Sequence, residues 1–250
     1  MKSIIRVSLL LLSLSFGLLA NAQLNYYDNN YYYGNSRPKV TVGVKAGLNL
    51  SDFTDYVEYN GNQVGFNAGI VIDYAINKNV YLSSGVEFYN KKMKFEYEDN
   101  NETTGMLFTV PDAVAKAMYI QIPLHVGYKF EVSRDVNIAI HGGPYAAYGV
   151  GGRMEMGDWV HIEGVQNPVH LNDFVKNVPG FKRVLYTFEN DIKGRHEKGF
   201  HRFDWGLGLG LLVEYQRVSL GFNYDFGLQD ISRYENVKVR TASLSLGYKF

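Results

Sequence analysis

Ten ionisable side chains at strand-like spacing are the first candidates for chemistry in this chain: Lys45, Asp73, Glu87, His125, Lys129, His141, Asp204, Glu214, Asp225 and Lys249. Carboxylates, ammonium groups and imidazoles gathered in one place can form a proton or ion path, or simply pair with one another. Pairing is the favoured reading, because all ten share the polar face of segments whose other face is apolar. A second set lies between residues 154 and 199, with Trp159, His161, Glu163, His170, Asp173, His196 and Glu197. His161 and Glu163 fall on one side of an extended chain, as two metal ligands would, but no third ligand follows at a recognisable spacing. The glycines of GLGLG at 206–210 resemble a phosphate-cradling motif, yet no helix start follows them, so room for neighbouring side chains explains them better. No Ser, His and acid set converges in the pattern. The expectation is a protein with no catalytic residues, no cofactor, no resident metal and no enzymatic activity.

The elements that carry these residues show a period of two, the mark of strands with one apolar and one polar face. Eight segments have it. KVTVGVKAGLNLS opens the series at residue 39, followed by VGFNAGIVIDYAI, VYLSSGVEFYNKKMKFEYE and AMYIQIPLHVGYKF. VNIAIHGGPYAAYGVGGRM, FDWGLGLGLLVEY, VSLGFNYDFGLQ and the terminal RTASLSLGYKF complete it. Pro123 interrupts the fourth segment as a residue unable to donate a ladder hydrogen bond, and a bulge or bend is expected near Gly142 to Pro144 in the fifth. Connections alternate between tight turns at 77–79, 131–135 and 216–217 and long loops at about 51–63, 96–113, 154–199 and 230–237. Within the longest loop, DWVHIE and TFEND are expected to extend the flanking strands, and NPVHLNDFVKNVPG to form a short helix. A loop of this length is uncommon without a function.

Twenty Tyr, 15 Phe and 26 Gly against 6 Pro suit strands rather than helices, and the absence of Cys excludes disulfides and thiolate chemistry. Residues 1–22 combine Lys2 and Arg6, an apolar run and Ala20-Asn21-Ala22, the three-part pattern of a signal peptide cut before Gln23. Residues 23–38 read as a flexible Tyr/Asn-rich leader, and residues 39–250 as a single barrel domain. Removing Lys2 and Arg6 from 25 basic residues leaves 23 against 25 acidic ones, a balance that argues against nucleic acid as a partner.

Orientation decides between a soluble and a membrane barrel. An eight-stranded barrel has an interior just wide enough for side chains to fill. Gly, Ser, Asn and paired charges fit it, whereas a full apolar face would crowd it. The apolar face therefore points outward into lipid, with Tyr74, Tyr128, Phe130, Tyr215, Tyr248 and Phe250 forming aromatic girdles. The expected fold class is all-β, an eight-stranded antiparallel transmembrane β-barrel with short periplasmic turns and long extracellular loops. A soluble barrel of lipocalin type is the alternative.

VGVKAGLNLS, GFNAGIVIDYAINKNVYLSSGVEFYNKK, IQIPLHVGYKF and SLSLGYKF look like the PorT-like family of outer-membrane β-barrels found in Bacteroidota, over roughly residues 40–250. The resemblance implies an outer-membrane location and a small barrel, with little about activity. The alternating apolar residues Leu246, Tyr248 and Phe250 resemble the C-terminal signal by which barrel-assembly machinery selects its clients. Expected partners are thus the lipid bilayer, that machinery, and a protein or small-molecule ligand at the extracellular loops. The leading function is a structural or interaction barrel presenting loop 154–199. A lipid-modifying membrane enzyme and a narrow channel or secretion-apparatus component are the alternatives.

Overall fold

The computed structural model describes residues 39–54, 62–101, 106–178, 181, 183–188, 199–231 and 237–250. The expected signal peptide and leader lie outside the described residues. Among the described residues, eleven strands and one helix follow in chain order: β1 (Val40–Phe53), β2 (Asn62–Ala75), β3 (Val80–Asn101), β4 (Met106–Glu131), β5 (Val136–Glu155), β6 (Trp159–Ile162), β7 (Val169–His170), α1 (Leu171–Asn177), β8 (Val184–Tyr186), β9 (Phe203–Tyr215), β10 (Val218–Gly227) and β11 (Val239–Lys249).

Eight of the strands close a ring in the order β1-β2-β3-β4-β5-β9-β10-β11, and every neighbouring pair is antiparallel. The seam is a continuous ladder from Gly43↔Lys249 to Phe53↔Val239, extended by the Phe250 N–H donating to the Val42 carbonyl at 2.9 Å. Closure satisfies each wall strand from both sides, so the ring has no free edge to pair with another chain. These eight strands are the eight alternating segments of the sequence.

The apolar face points outward. Along β4, Ile120, Ile122, Leu124, Val126, Tyr128 and Phe130 are all exposed, while Gln121, Pro123 and His125 between them are buried. The strip from Ile120 to Phe130 is about eleven residues long, the length a tilted strand needs to cross the hydrocarbon. Tyr74, Tyr128, Phe130, Tyr215 and Tyr248 mark its turn end, with Phe66, Tyr148 and Phe203 exposed toward the loop end. Water would penalise so large an oily belt; acyl chains would not. Arginine in place of Leu124, at the middle of that belt, is expected to lower barrel stability by about 2–4 kcal/mol in a urea titration in lipid vesicles.

Three details differ from the sequence reading. The bulge of β5 is not at Gly142 to Pro144, where pairing with β4 keeps one register; it lies where Tyr119↔Gly149 gives way to Met118↔Gly151. Gly152 beside it has a φ of +155°, a conformation side-chain-bearing residues avoid. Pro123 acts on the other neighbour instead: the β3–β4 ladder skips the positions between Ser84↔Leu124 and Glu87↔Gln121. The Ser84 hydroxyl there donates to the Pro123 carbonyl at 2.8 Å. Finally, residues 96–101 and 106–113, expected to form a long loop, are strand, because β3 and β4 stay paired out to Asn101↔Met106. A bulge between Phe95 and Tyr97 shifts the alternation by one residue on β4, which hid the continuation from a strict period of two.

Candidate functional site: the filled lumen and its loop-side cap

The inward positions of the eight strands stack polar side chains in levels from the turn end upward. At the lowest level the Lys249 ammonium lies between the carboxylates of Asp73 and Glu214. Lys129 joins the same cluster, 3.1 Å from Glu214 and 3.9 Å from Asp73, with its ammonium 4.7 Å from the centre of the Tyr81 ring. One level up, Lys45 pairs with Glu87 at 2.7 Å, and His125 stacks on His141 with ring centres 5.4 Å apart. His141 is held on both ring nitrogens, by the Tyr81 hydroxyl at 3.3 Å and the Asn223 side-chain oxygen at 2.7 Å. Above them Gln121 donates to Asp225 at 2.9 Å.

The glycines of GLGLG provide room for this stack. A Cβ at Gly208 would stand 2.8 Å from His125 Nε2, and one at Gly210 would stand 2.2 Å from His141 Nε2, both inside contact distance. Between the lower levels remains an internal cavity of about 60 Å³, room for a few waters and little else.

In the uppermost polar level Asp204 is one of the ten selected residues, but its partner Lys91 was missed by sequence reasoning. Lys91 is almost fully buried, 3.8 Å from Asp204, and its ammonium sits 5.2–5.7 Å from the ring centres of Tyr89, Tyr119 and Tyr145. The Tyr145 hydroxyl donates to the same carboxylate at 3.4 Å. A desolvated ammonium facing aromatic rings gains cation–π attraction, and one carboxylate supplies the opposite charge. The signal was present: continuing the odd register of β3 from Ser83 and Glu87 leads to Tyr89, Lys91 and Met93. All ten sequence-selected ionisable residues are lumen-facing, and Lys91 makes an eleventh.

Above Lys91 the lumen turns apolar. Phe53, Met93, Tyr119, Phe188, Ile231 and Val239 belong to one buried cluster that closes the loop end of the barrel. Phe188 comes from the long loop, and its ring lies where a Cβ at Gly149 would be, 2.3 Å away. Ile231 and Val237 are tied by the Ile231 N–H donating to the Val237 carbonyl at 2.8 Å, and both pack into this cluster.

The long loop builds a cap on the tall strands. After a break at 156–158, β6 pairs with β4 through Phe108↔Ile162, taking up the side that β5 leaves; DWVHIE therefore extends strand five with an interruption. On the other flank β8 pairs with β5 through Arg153↔Tyr186, beyond the Tyr148↔Phe203 end of β9. The pairing residues there are VLY, three positions before the expected TFEND. Helix α1 starts after Pro168 as expected. His170 caps it, its Nδ1 accepting from the Asn172 N–H at 3.1 Å, and Lys176 donates to Asp173 at 2.9 Å, holding that carboxyl below its usual range.

Phe174 on α1 is buried against Phe108 of β4 and Phe181, with ring centres 4.8 and 5.3 Å away. The helix thus rests on a core of its own, which includes Val110 and Val160. Trp159 and Val165 remain half-exposed on the cap. His161 sits in β6 opposite Thr109, and among the described residues no three His, Asp or Glu side chains stand together as metal ligands would. His196 and Glu197 lie outside the described residues.

Several solved structures are similar to the chain at low identity and low TM-score. Ail, the attachment invasion locus protein of Yersinia pestis, is 14% identical, with 85% of this chain and 100% of that chain covered at a TM-score of 0.39. Neisserial surface protein A is 18% identical over 86% and 98% at 0.38. OprG from Pseudomonas aeruginosa is 10% identical over 86% and 98% at 0.39. No curated protein matches the sequence. Residues 21–233 match the family described as outer membrane protein beta-barrel domain, and with its outward oily belt and closed ring of eight strands the chain belongs to that family of outer-membrane barrels.

Proposed function

We propose that the protein is a non-conducting outer-membrane barrel that serves as a mount for its loop-side cap, which binds a protein or small-molecule ligand at the cell surface. The observation that carries this reading is the cap itself. Strands β3, β4 and β5 run well past the membrane belt and hold a separate packed core around Phe108, Val160 and Phe174. Ordering a second core outside the bilayer has a conformational cost that a simple membrane plug would not incur. Half-exposed Trp159 beside it is the residue type that dominates binding interfaces.

The finer identity follows the same line. The chain is a PorT-like barrel of Bacteroidota type, exported by a cleaved signal peptide over residues 1–22 and carried past the periplasm to barrel-assembly machinery that reads Leu246, Tyr248 and Phe250. The ten ionisable lumen residues, Lys45 to Lys249, act as a structural network rather than as catalytic groups. The three levels of ion pairs in the lumen and the apolar closure above them support that role.

The test replaces residues 159–188 with a short Gly/Ser linker and follows ligand capture on cells. Capture is expected to vanish with the cap, and Trp159→Ala alone is expected to weaken it about 30-fold, the effect of losing a central aromatic anchor. Folding of each variant is checked by its heat-modifiable mobility in detergent gels. Sustained conductance of the intact protein in planar bilayers, or ligand capture unaffected by the deletion, would overturn the reading.

A further inference from the structure

The outer wall carries a feature that neither the lumen nor the cap explains. Lys92 of β3 lies directly opposite Lys116 of β4, and Lys116 lies directly opposite Arg153 of β5. Three cations thus occupy adjacent positions across three strands on the outside of the barrel. Like charges facing each other across a sheet are destabilising, so the row calls for an anionic partner. Glu155 meets part of that need, accepting from Lys116 at 2.5 Å. Among the described residues no carboxylate pairs with Lys92 or Arg153.

The height of the row identifies where the partner sits. On β4 the oily belt ends at Ile120, Met118 follows, and Lys116 is the next outward residue. Four residues along a strand cover roughly 13 Å, less once the strand's tilt is counted, so the row stands just past the hydrocarbon on the loop side. Beside it opens a cleft of about 690 Å³ lined by Lys116, Arg153, Tyr186 and Arg202. The Arg202 guanidinium donates to the Gly149 carbonyl at 2.9 Å and stacks on Phe188, 5.4 Å from the ring centre, which fixes it at the cleft wall. Four cations against Glu155 leave a local excess of three positive charges at headgroup level.

We propose that this cationic row and cleft form a docking site for the phosphate groups of an anionic lipid in the outer leaflet, seated with its acyl chains along the belt below. A lipid fits where a soluble anion fits less well, because the phosphate-binding side chains and the apolar face of Ile120, Tyr148 and Phe203 are continuous on the same outer surface. Each juxtamembrane cation adds to such binding by about fivefold.

The experiment reconstitutes the full chain in phosphatidylcholine nanodiscs containing brominated phosphatidylglycerol and reads quenching of the two tryptophans, Trp159 and Trp205. Preference for the anionic lipid over brominated phosphatidylcholine is expected in the unaltered protein. It is expected to fall on the order of a hundredfold in the Lys92→Gln, Lys116→Gln, Arg153→Gln triple variant. A matched variant at the turn end, Lys39→Gln, Lys78→Gln, Arg134→Gln, removes the same charge and is expected to keep the preference. Equal preference in all three proteins, or an equal loss in the two variants, would overturn the proposal. Full displacement by inorganic phosphate at low millimolar concentration would also overturn it, by showing a free-anion site in place of a lipid one.

Discussion

Asp204→Ala should destabilise the barrel by about 3–5 kcal/mol, the cost of leaving one partner of a buried ion pair without the other. Lys91 would then hold its ammonium among Tyr89, Tyr119 and Tyr145 with no carboxylate in ion-pair contact; Asp225 attracts it from below but is held there by the Gln121 amide. The rings attract a cation but do not replace its hydration. The measurement is the urea midpoint of refolding into vesicles. A double variant, Lys91→Met with Asp204→Leu, removes both charges and should recover most of the loss, since apolar replacements of a buried pair are often neutral or better. If the single variant unfolds no earlier than the parent, the ammonium is solvated in the lumen and the closure above it is not tight.

The second large effect is expected at Lys249→Met. This residue sits one position from the end of the chain, on the strand that closes the ring against β1, and binds Asp73 of β2 together with Glu214 of β9. Its loss leaves two carboxylates at the turn end with Lys129 as their shared cation. Destabilisation of about 3 kcal/mol is expected. Because Lys249 links strands on both sides of the seam, the folding rate should fall as well as the stability. Kinetics of the gel shift separate the two. A loss confined to unfolding rate would show that the cluster forms only after the ring has closed.

Much of the wall was legible because each strand repeats one rule. β10, with Val218, Leu220 and Phe222 outward and Ser219, Gly221 and Asn223 inward, announces its faces without any help from its neighbours. β3 was harder: Lys91 and Lys92 are adjacent and chemically alike, yet one is enclosed with Asp204 and the other faces the lipid headgroups. Only the register separates them. The extension of β3 and β4 was hidden for a related reason, since the extra residue opposite Glu96 offsets the pattern that Phe108 and Val110 continue. Helix α1 was legible from Asn167-Pro168 and the apolar spacing of Leu171, Phe174 and Val175. Its docking on Phe108 was not, because that contact joins residues more than sixty positions apart, and nothing local encodes it.

The ring's strands are unequal in height: β4 has 26 residues and β10 only 10. At about 3.3 Å per residue, one flank stands as a palisade while the opposite flank stops near the membrane plane. The molecule therefore has a front and a back when viewed from outside the cell. Among the described residues the wall stands taller along β3 to β5 than along β10 and β11, so a large visitor descending on the surface meets flanks of unequal height. Compass bearing within the bilayer, as well as depth, becomes a property that neighbours can read.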